Sequence, residues 1–465
     1  MIQFQFADLH CHPTLKAFGK SHNSKNGKAH VQKMFIQKQP NVISLFLQKL
    51  LGVTKFTQSD LMTMTNGNVT LAFVSLYPFE KGFFYNRYLN NKLVAFLANI
   101  ITSVGYKRIR CIQRHKNYFE DLLREYEFLI EALKKQKLNR ASPCWRLLSR
   151  NEKLEANNLY VIPTIEGAHV LNTGLAPFGV KTKKYEVLKN IAKLKKIPFP
   201  PLFITLAHNF NNDLCGHAES LEVLGNLLNQ TENLNEGISA LGFEVIKNLL
   251  DNQNNNTIYI DVKHMSVTSR KMYYAYLERE HQNKVPVIVS HGAVTGTSFL
   301  GKNGSSISSS YFASEDINFY DEEIVLIAQT KGLFGVQFDA KRLAPKQMIK
   351  KPLFNSTSKE QLEHSVRIIW NQLQHIAEVL DTNGYYSWGI ATIGSDFDGT
   401  INPLNEIWTA KEFNSMANQL LILVEEYLTN ENVLTQKRNF QESPLVIVRR
   451  FTYENAYKFL EHFYL

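Results

Sequence analysis

Short runs of apolar residues recur along the chain, and longer segments between them have apolar residues at every third or fourth position. The short runs are rich in β-branched and aromatic residues, which is typical of buried strands. Most of them end in a residue that can take part in chemistry. Strands are predicted over residues 3–9, 69–76, 159–165, 202–207, 257–263, 286–290, 332–338 and 389–394.

Helical patterns lie between most of these strands, and strands that alternate with helices form a parallel sheet. Because the eight runs are almost continuously apolar, the sheet is expected to be buried on both faces. We therefore predict an α/β fold, a (β/α)8 barrel of the TIM type, with an open doubly wound sheet as the alternative. The main helices are predicted over residues 119–139, 219–249 with a break near 233–237, 269–280, 321–331 and 359–380.

Two connections are longer than a single helix requires. Residues 13–66 and 80–158 are each expected to contain extra helices, so that extended helical insertions precede the third strand. With these insertions, residues 1–465 are predicted to form one barrel domain. The small polar residues of 301–310 predict either a mobile active-site loop or a plain surface loop.

The composition is that of an ordinary globular enzyme, with 44% hydrophobic and 20% charged residues. No signal-peptide pattern opens the chain and no apolar run reaches about 18 residues, so a cytoplasmic protein without a membrane span is expected. The cysteines are widely separated, which argues against a disulfide framework and a cysteine-rich zinc site and favours a reducing compartment. They are Cys11, Cys111, Cys144 and Cys215.

The chain carries a formal net charge of +10, from 52 basic and 42 acidic residues. Such an excess permits weak attraction to anions. The basic residues are spread along the chain, and their densest stretch, 181–196, has the spacing of a helix with one solvated face. A nucleic-acid partner is therefore not predicted.

Two histidines at alternate positions close the first predicted strand. Residues i and i+2 of a strand point to the same face, about 6.6 Å apart along the chain, so His10 and His12 can converge on one cation. Two unrelated polar histidines would give the same pattern. The pair becomes informative only together with further ligands.

Three further strands end in ligand-type residues. Glu166 comes directly after the third strand. It is either a metal ligand or the partner of a helix N-terminus. His264 and His291 follow strongly apolar runs, where a buried histidine bonded to the backbone is the usual alternative. Chemistry in this fold lies at the carboxyl ends of the strands, so the five residues predict a shared site. Four imidazoles and one carboxylate suit zinc and exceed the needs of one ion, which favours two divalent metals.

Other polar residues at strand ends are candidates for proton transfer and substrate binding. Asp396 is predicted to take and return the proton of a water beside the metals. Asp398 is its rival, unless it belongs to a turn-forming Asp-Gly pair. His208 is expected to hydrogen-bond a developing oxyanion or to be a satisfied core histidine. His169 is expected to line the substrate pocket or to support the ligands.

The segments that contain these residues, taken in order along the chain, resemble the motifs of the membrane dipeptidase family. These are the renal dipeptidase-like metallopeptidases of the amidohydrolase superfamily. The resemblance covers most of the chain apart from the extended stretches before Glu166. It implies a metallo-dependent hydrolase with two zinc ions, often a homodimer, that cleaves dipeptides and related small amides. The motifs are DLHCHP (8–13), IEGAH (165–169), ITLAHNFN (204–211), IDVKHMS (260–266), VPVIVSH (285–291) and IGSDFDG (393–399).

The resemblance also implies a role for each site residue. Asp396 would handle the proton of a metal-bridging hydroxide, and His208 would contact the scissile carbonyl or the tetrahedral oxygen. The ligands would be His10 and His12 for the first metal, Glu166 as the bridge, and His264 and His291 for the second metal.

Two positions depart from the family pattern. The family usually has Asp where this chain has His12, and imidazole still binds zinc well. The family's carboxylate-binding Arg corresponds to Ile317, which cannot form a bidentate clamp; Lys302 and Arg270 are candidate replacements. The substrate class therefore stays open between a dipeptide, a lactone, ester or non-peptide amide, and an inactive metal-binding homologue.

Overall fold

The described part of the computed structural model contains a sheet of nine strands. All eight predicted strands are present. A further strand of three residues lies within 80–158, where only extra helices were expected. The strands are β1 (Phe6–Cys11), β2 (Val69–Leu76), β3 (Trp145–Leu147), β4 (Leu159–Ile165), β5 (Phe203–Thr205), β6 (Tyr259–Asp261), β7 (Ile288–Gly292), β8 (Leu333–Val336) and β9 (Ala391–Ile393). The structure describes residues 1–21, 31–51, 54–86, 88–136, 144–155, 158–221, 228–252, 256–349, 357–430 and 433–465.

Eight of these strands close into a parallel barrel. Pairing runs from β2 through β1, β9, β8, β7, β6 and β5 to β4. The ring closes where β2 pairs with β4, from Leu71 opposite Tyr160 to Leu76 opposite Ile165. β3 pairs with the first residues of β4 and is not part of the ring. The predicted (β/α)8 barrel is confirmed, and the open doubly wound sheet is wrong.

The strands are buried on both faces. Every residue of β1, β4 and β7 is buried. In a barrel wrapped by helices, one face of each strand packs in the interior and the other packs under the helices. This double burial explains why the strand segments of the sequence are continuously apolar rather than alternating.

Buried carboxylates join neighbouring strands inside the barrel. The Asp8 carboxylate accepts a hydrogen bond from the backbone N–H of Ser395 at 2.9 Å. The Asp261 carboxylate accepts hydrogen bonds from the hydroxyls of Thr205 and Ser290, both at 2.6 Å. Because these bonds fix the relative positions of strand ends, they also fix the side chains that follow those ends.

The helices largely follow the predicted pattern. The helix expected over 219–249 is shorter than predicted, because residues 228–232 are not helical. The predicted break near 233–237 is confirmed, and the helix begins after its N-cap Ser239. Asn233 and Asn235 in this stretch have positive φ, which no helix accommodates. The helices are α1 (Pro13–Ser21), α2 (Val42–Leu51), α3 (Leu61–Asn66), α4 (Asn91–Thr102), α5 (Tyr106–Arg114), α6 (Tyr118–Lys135), α7 (Lys184–Leu194), α8 (Ala240–Leu250), α9 (Val267–His281), α10 (Asp321–Gln329), α11 (Ala340–Leu343), α12 (Lys346–Ile349), α13 (Ser358–Thr382), α14 (Phe413–Asn430), α15 (Lys437–Phe440), α16 (Pro444–Arg449) and α17 (Asn455–Phe463).

The two long connections before β4 contain helices, α1 to α3 in the first and α4 to α6 in the second. The second is held together by a buried bidentate pair, in which Arg108 donates to Asp121 at 2.6 and 2.7 Å. Among the described residues, none of the helices combines the length and apolar character needed to cross a bilayer. The four cysteines are free thiols.

Candidate metal centre

The five predicted metal ligands lie together at one end of the barrel. His10 is within β1 and His12 follows one residue after it, while Glu166 comes directly after β4. His264 lies three residues after β6, and His291 lies within β7. All five side chains are buried. The strand ends therefore bring these residues to one place, as the barrel geometry requires.

Glu166 lies at the centre of this cluster, with an imidazole nitrogen near each of its oxygens. A carboxylate with ligand groups on both oxygens can bridge two cations. Its Oε1 lies 3.6 Å from Nε2 of His10, 3.4 Å from that of His208, 3.5 Å from that of His264 and 3.7 Å from that of His291, and its Oε2 lies 3.3 Å from Nε2 of His12.

Ligand atoms in the cluster form three groups whose members lie within 4.8 Å of one another. Two groups share Glu166 and two share His10, so the groups adjoin. The resemblance pairs His264 with His291, whereas here His264 groups with His208, and His291 groups with His10. The three groups are His10, Glu166 and His291; His10, His12 and Asp396; and Glu166, His208 and His264.

The hydrogen bonds of the cluster fit a divalent cation. Nδ1 of His12 donates to the carbonyl of Ser75 at 3.1 Å, so Nε2, which lies 3.3 Å from Glu166, is the nitrogen that would bind a cation once its proton is released. Both ring nitrogens of His264 are buried and have no hydrogen-bond partner among the described residues. Buried polar atoms are seldom left without a partner. A cation bound by imidazole nitrogen would satisfy these atoms.

The histidines and the acidic residues of the cluster shift one another's pKa values. Burial raises the pKa of Glu166, but the neighbouring His208, His10 and His12 outweigh it and hold that pKa well below its usual value. Burial opposes protonation of His12, yet its hydrogen bonds to Asp396 and Glu166 raise its pKa to about 10. A proton on His12 therefore offsets part of the negative charge of the buried acids. A bound cation would displace it, so metal binding would release a proton.

The backbone is strained where two of these side chains enter the site. His264 has φ of 66° and Asp396 has φ of 58°, both in the left-handed region that non-glycine residues rarely adopt. Gly167 has φ of 91°, and a Cβ at that position would lie 2.4 Å from Nδ1 of His169. Strain of this kind persists where surrounding contacts enforce it, often in functional sites.

The two aspartates of the IGSDFDG motif have different surroundings. Oδ1 of Asp396 lies 3.5 Å from Nε2 of His12 and 3.9 Å from Nε2 of His10. Asp398 instead forms a buried ion pair with Lys16 at 2.8 Å and accepts hydrogen bonds from the backbone N–H and hydroxyl of Ser59. Asp396 therefore faces the cluster, and Asp398 anchors the first insertion.

A buried glutamate that was not predicted orients His208. The Glu80 carboxylate lies four residues beyond the end of β2, and its Oε2 accepts a hydrogen bond from Nδ1 of His208 at 2.5 Å. The backbone N–H of Phe210 donates to Oε1 at 3.1 Å. Burial opposes protonation of His208, but Glu80 and Glu166 outweigh it and raise its pKa to about 10. An acidic residue shortly after a barrel strand is the sequence signal for Glu80.

His169 lies beside a cavity next to the cluster. Its Nε2 donates to the carbonyl of Pro78 at 2.7 Å, and its ring packs against Tyr118 with centroids 4.9 Å apart. The adjoining cavity has a volume of about 300 Å³ and is mainly apolar, with four aromatic rings besides that of His169 and with carboxylates on its wall. Its lining includes Glu80, Tyr85, Tyr118, His169, Phe178, Phe210 and Glu232.

One of the two proposed substitutes for the family's carboxylate-binding arginine is already paired. Ile317 is buried in the core, and Lys302 is exposed in its loop. The buried Arg270 guanidinium is engaged by Glu323 and backbone carbonyls, so the suggestion of Arg270 is wrong. A different basic residue, Lys263, is buried directly before His264, and its Nζ has no hydrogen-bond partner among the described residues.

Most of the chain matches the profile of a known protein family. The profile of the family described as membrane dipeptidase (peptidase family M19) matches residues 36–436. The match begins after β1, so it includes Glu166, His264 and His291 but neither His10 nor His12. No curated protein matches the chain.

Two solved structures resemble the chain over its whole length. One, described as the metallopeptidase dipeptidase AC of family M19, is 12% identical, with 100% of this chain and 99% of that chain covered and a TM-score of 0.50. The other is a metallopeptidase from Rhodobacter sphaeroides liganded with a phosphinate mimic of the dipeptide L-Ala-D-Ala. It is 12% identical, with both chains fully covered and a TM-score of 0.52. At this identity the likeness concerns the fold.

Proposed function

The chain belongs to the membrane dipeptidase family, peptidase family M19, and we propose that it hydrolyses a dipeptide or a related small amide at the cluster around Glu166. The family consists of metallopeptidases, so the chain is a metal-dependent hydrolase. One observation carries the proposal: the Glu166 carboxylate lies within 3.3 to 3.7 Å of five imidazole nitrogens. That arrangement is suited to two cations bridged by one carboxylate.

The buried donor set supports two divalent ions, with zinc as the expected element, because imidazole and carboxylate are zinc's usual ligands in hydrolases. When bound, such ions polarise a carbonyl group and lower the pKa of water. The ring nitrogens of His264, which have no hydrogen-bond partner among the described residues, support the same assignment. The proposed ligands are His10, His12, Glu166, His264 and His291.

Two further residues are proposed to act on the substrate. The Asp396 carboxylate borders the cluster and would accept a proton from the attacking water, then return it to the leaving amine. His208 would donate from Nε2 to the oxygen of the scissile carbonyl, where negative charge develops. The hydrogen bond between Nδ1 of His208 and Glu80 supports this role, because it holds Nε2 toward the cluster.

The cavity beside His169 is proposed to hold a side chain of the substrate. Glu80 lines the cavity and also binds His208, so one imidazole separates this space from Glu166. A volume of about 300 Å³ with aromatic walls accommodates a large apolar side chain. The aromatic wall includes Tyr85, Tyr118, Phe178 and Phe210.

Lys263 is proposed to bind the free carboxylate of the substrate in place of the family's arginine. Its amine is fully buried. Burial and the neighbouring Arg342 lower the pKa of Lys263 to about 7, while Asp396 acts in the opposite direction, and a bound carboxylate would favour the ammonium form. A buried cation without a hydrogen-bond partner is a strong site for an anionic group. A single ammonium offers less geometric selection than a guanidinium fork, so we expect broader substrate tolerance.

A substrate panel tests the proposal. Purified zinc-loaded protein is incubated with dipeptides, with the same dipeptides blocked at the C-terminus, and with lactone and ester substrates, and released amino acids are measured. We expect hydrolysis of free dipeptides, fastest with a large apolar side chain. Turnover of a lactone or ester without turnover of any dipeptide would favour the alternative amidohydrolase, and no turnover at all would favour an inactive homologue.

A further inference from the structure

Helix α4 in the second insertion presents an apolar face to solvent. Five large apolar side chains of this helix are each between 43% and 55% exposed. The opposite side of the helix is buried through Val94 and Ala95. The exposed side chains are Leu93, Phe96, Leu97, Ile100 and Ile101.

These five residues form one continuous stripe. Counted from Leu93, they stand at positions i, i+3, i+4, i+7 and i+8, which is the spacing of a single helix face. Amphipathic helices ordinarily turn such a stripe toward the core. A contiguous exposed apolar patch of this kind marks a surface that is covered by something else in function.

A basic cleft borders the stripe. It has a volume of about 590 Å³ and is lined from α4, α5 and the start of α6. Lys92, on α4, lies next to Leu93, so the cleft and the stripe adjoin. Burial of Ile109 and Ile112 turns Lys107, Arg110 and Arg114 of α5 outward. The lining residues are Lys92, Tyr106, Lys107, Arg110, Cys111, Arg114, His115 and Arg124.

The cleft has a strong excess of positive charge. Arg124 forms an ion pair with Glu120. In the part of the chain that the structure describes, Lys92, Lys107, Arg110 and Arg114 make no ion pair. Four cations beside an apolar stripe match a partner that offers both phosphate groups and hydrocarbon.

We propose that the α4 stripe and the basic cleft bind the surface of a bilayer that contains anionic phospholipids. The stripe would enter the boundary between headgroups and acyl chains, and the cleft would bind phosphate groups. A second copy of the chain is a poorer occupant, because a two-fold contact on this surface would bring two equally charged clefts together. None of the residues proposed for hydrolysis takes part, so this proposal stands apart from the proposed function.

Vesicle co-sedimentation of the full chain tests the proposal. We expect binding to vesicles of phosphatidylcholine with phosphatidylserine, weakening with added salt, and little binding to phosphatidylcholine alone. The double variant Lys107→Glu/Arg110→Glu should bind at least roughly tenfold more weakly, since each basic residue near an anionic surface contributes about 1 kcal/mol. The double variant Phe96→Ser/Ile100→Ser should also lose binding. Circular dichroism checks that each variant is folded.

The control variant is Leu300→Ser, which removes a strongly exposed apolar residue outside the stripe and should bind as the unchanged chain does. Equal binding to neutral and anionic vesicles, or no binding to either, would overturn the proposal. So would a dimer in light scattering that becomes a monomer only in Phe96→Ser/Ile100→Ser. That last result would make the face the contact of the homodimer that the family resemblance implies.

Discussion

The Glu80 carboxylate lies 2.5 Å from Nδ1 of His208, and Nε2 of the same imidazole lies 3.4 Å from the Glu166 carboxylate. Tyr77 donates its hydroxyl to Glu80 at 3.3 Å, and the backbone N–H of Phe210 donates at 3.1 Å. The carboxylate is therefore held from three sides. It fixes both the ring orientation of His208 and the nitrogen that faces the cluster.

Weakening the hydrogen bond between Glu80 and His208 should slow turnover. We expect Glu80→Gln to lower kcat by roughly 10- to 100-fold with little change in KM, because a carboxylate that orients a site histidine has an effect of that size. Glu80→Asp should recover part of the loss. The matched control is Glu425→Gln, which changes an exposed carboxylate on α14 outside the cavity and should leave kcat unchanged. A large increase in KM with unchanged kcat would assign Glu80 to substrate binding.

The two aspartates of the IGSDFDG motif should respond differently to the same substitution. Asp396→Asn should lower kcat by roughly 100-fold or more, since it removes a proton acceptor, while metal content and Tm stay unchanged. Asp398→Asn should mainly lower stability, by about 3 to 5 kcal/mol, because it leaves the buried Lys16 unpaired. Activity assays, metal analysis and thermal denaturation of both variants separate the effects. Full activity of Asp396→Asn would transfer the proton role elsewhere.

Lys263 should determine how strongly a free C-terminus is recognised. We expect Lys263→Met to raise KM for free dipeptides roughly tenfold or more, because it removes a charge-assisted hydrogen bond. C-terminally amidated dipeptides should be unaffected, and Lys263→Arg should recover binding. Lys341→Met, at an exposed lysine, serves as control. An equal effect on free and amidated substrates would show that Lys263 does not bind the carboxylate.

Glu125 should make the stability of the protein depend on pH. It is buried in α6, accepts hydrogen bonds from the Thr14 hydroxyl at 2.6 Å and the Tyr77 N–H at 3.1 Å, and burial raises its pKa to about 7. Its protonated form therefore stabilises the fold fully below the usual glutamate pKa. That contribution, about 3 kcal/mol, is lost as pH rises through about 7.

Thermal denaturation at about pH 5 and about pH 8 measures this dependence. Glu125→Gln should raise Tm at the higher pH and have little effect at the lower one, because the amide resembles the protonated acid. Glu127→Gln, at an exposed position of the same helix, should change neither. Equal shifts at both pH values would remove Glu125 as the cause.

The barrel and the location of the site could be predicted because both depend on local signals. Buried strands leave continuous apolar runs, and parallel closure brings residues at their ends together, as it does for His10, Glu166 and His291. The assignment of individual roles depends on contacts between distant loops. Glu80 lies in a loop and meets His208 across 128 positions of sequence, so no periodicity indicates it.

The predictions that were wrong, one on a helix and one on Arg270, also depended on contacts that the sequence does not show. Residues 228–232 were expected to be helical but are not, whereas the break predicted near 233–237, where Asn233 and Asn235 adopt positive φ, is confirmed. The charge of Arg270 suggested an anion site, whereas its buried neighbours, Glu323 above all, already neutralise it. Sequence shows which charges are present, and only the fold shows which of them are paired.

Zinc titration of dipeptide hydrolysis tests the central claim most directly. The protein is stripped with a chelator, zinc is added back, and turnover and bound metal are measured together. We predict no activity in the stripped protein, a rise that saturates near two zinc ions per chain, and no recovery in Glu166→Gln. Full dipeptidase activity in the stripped protein, or full recovery in Glu166→Gln, would contradict a metal cluster bridged by Glu166.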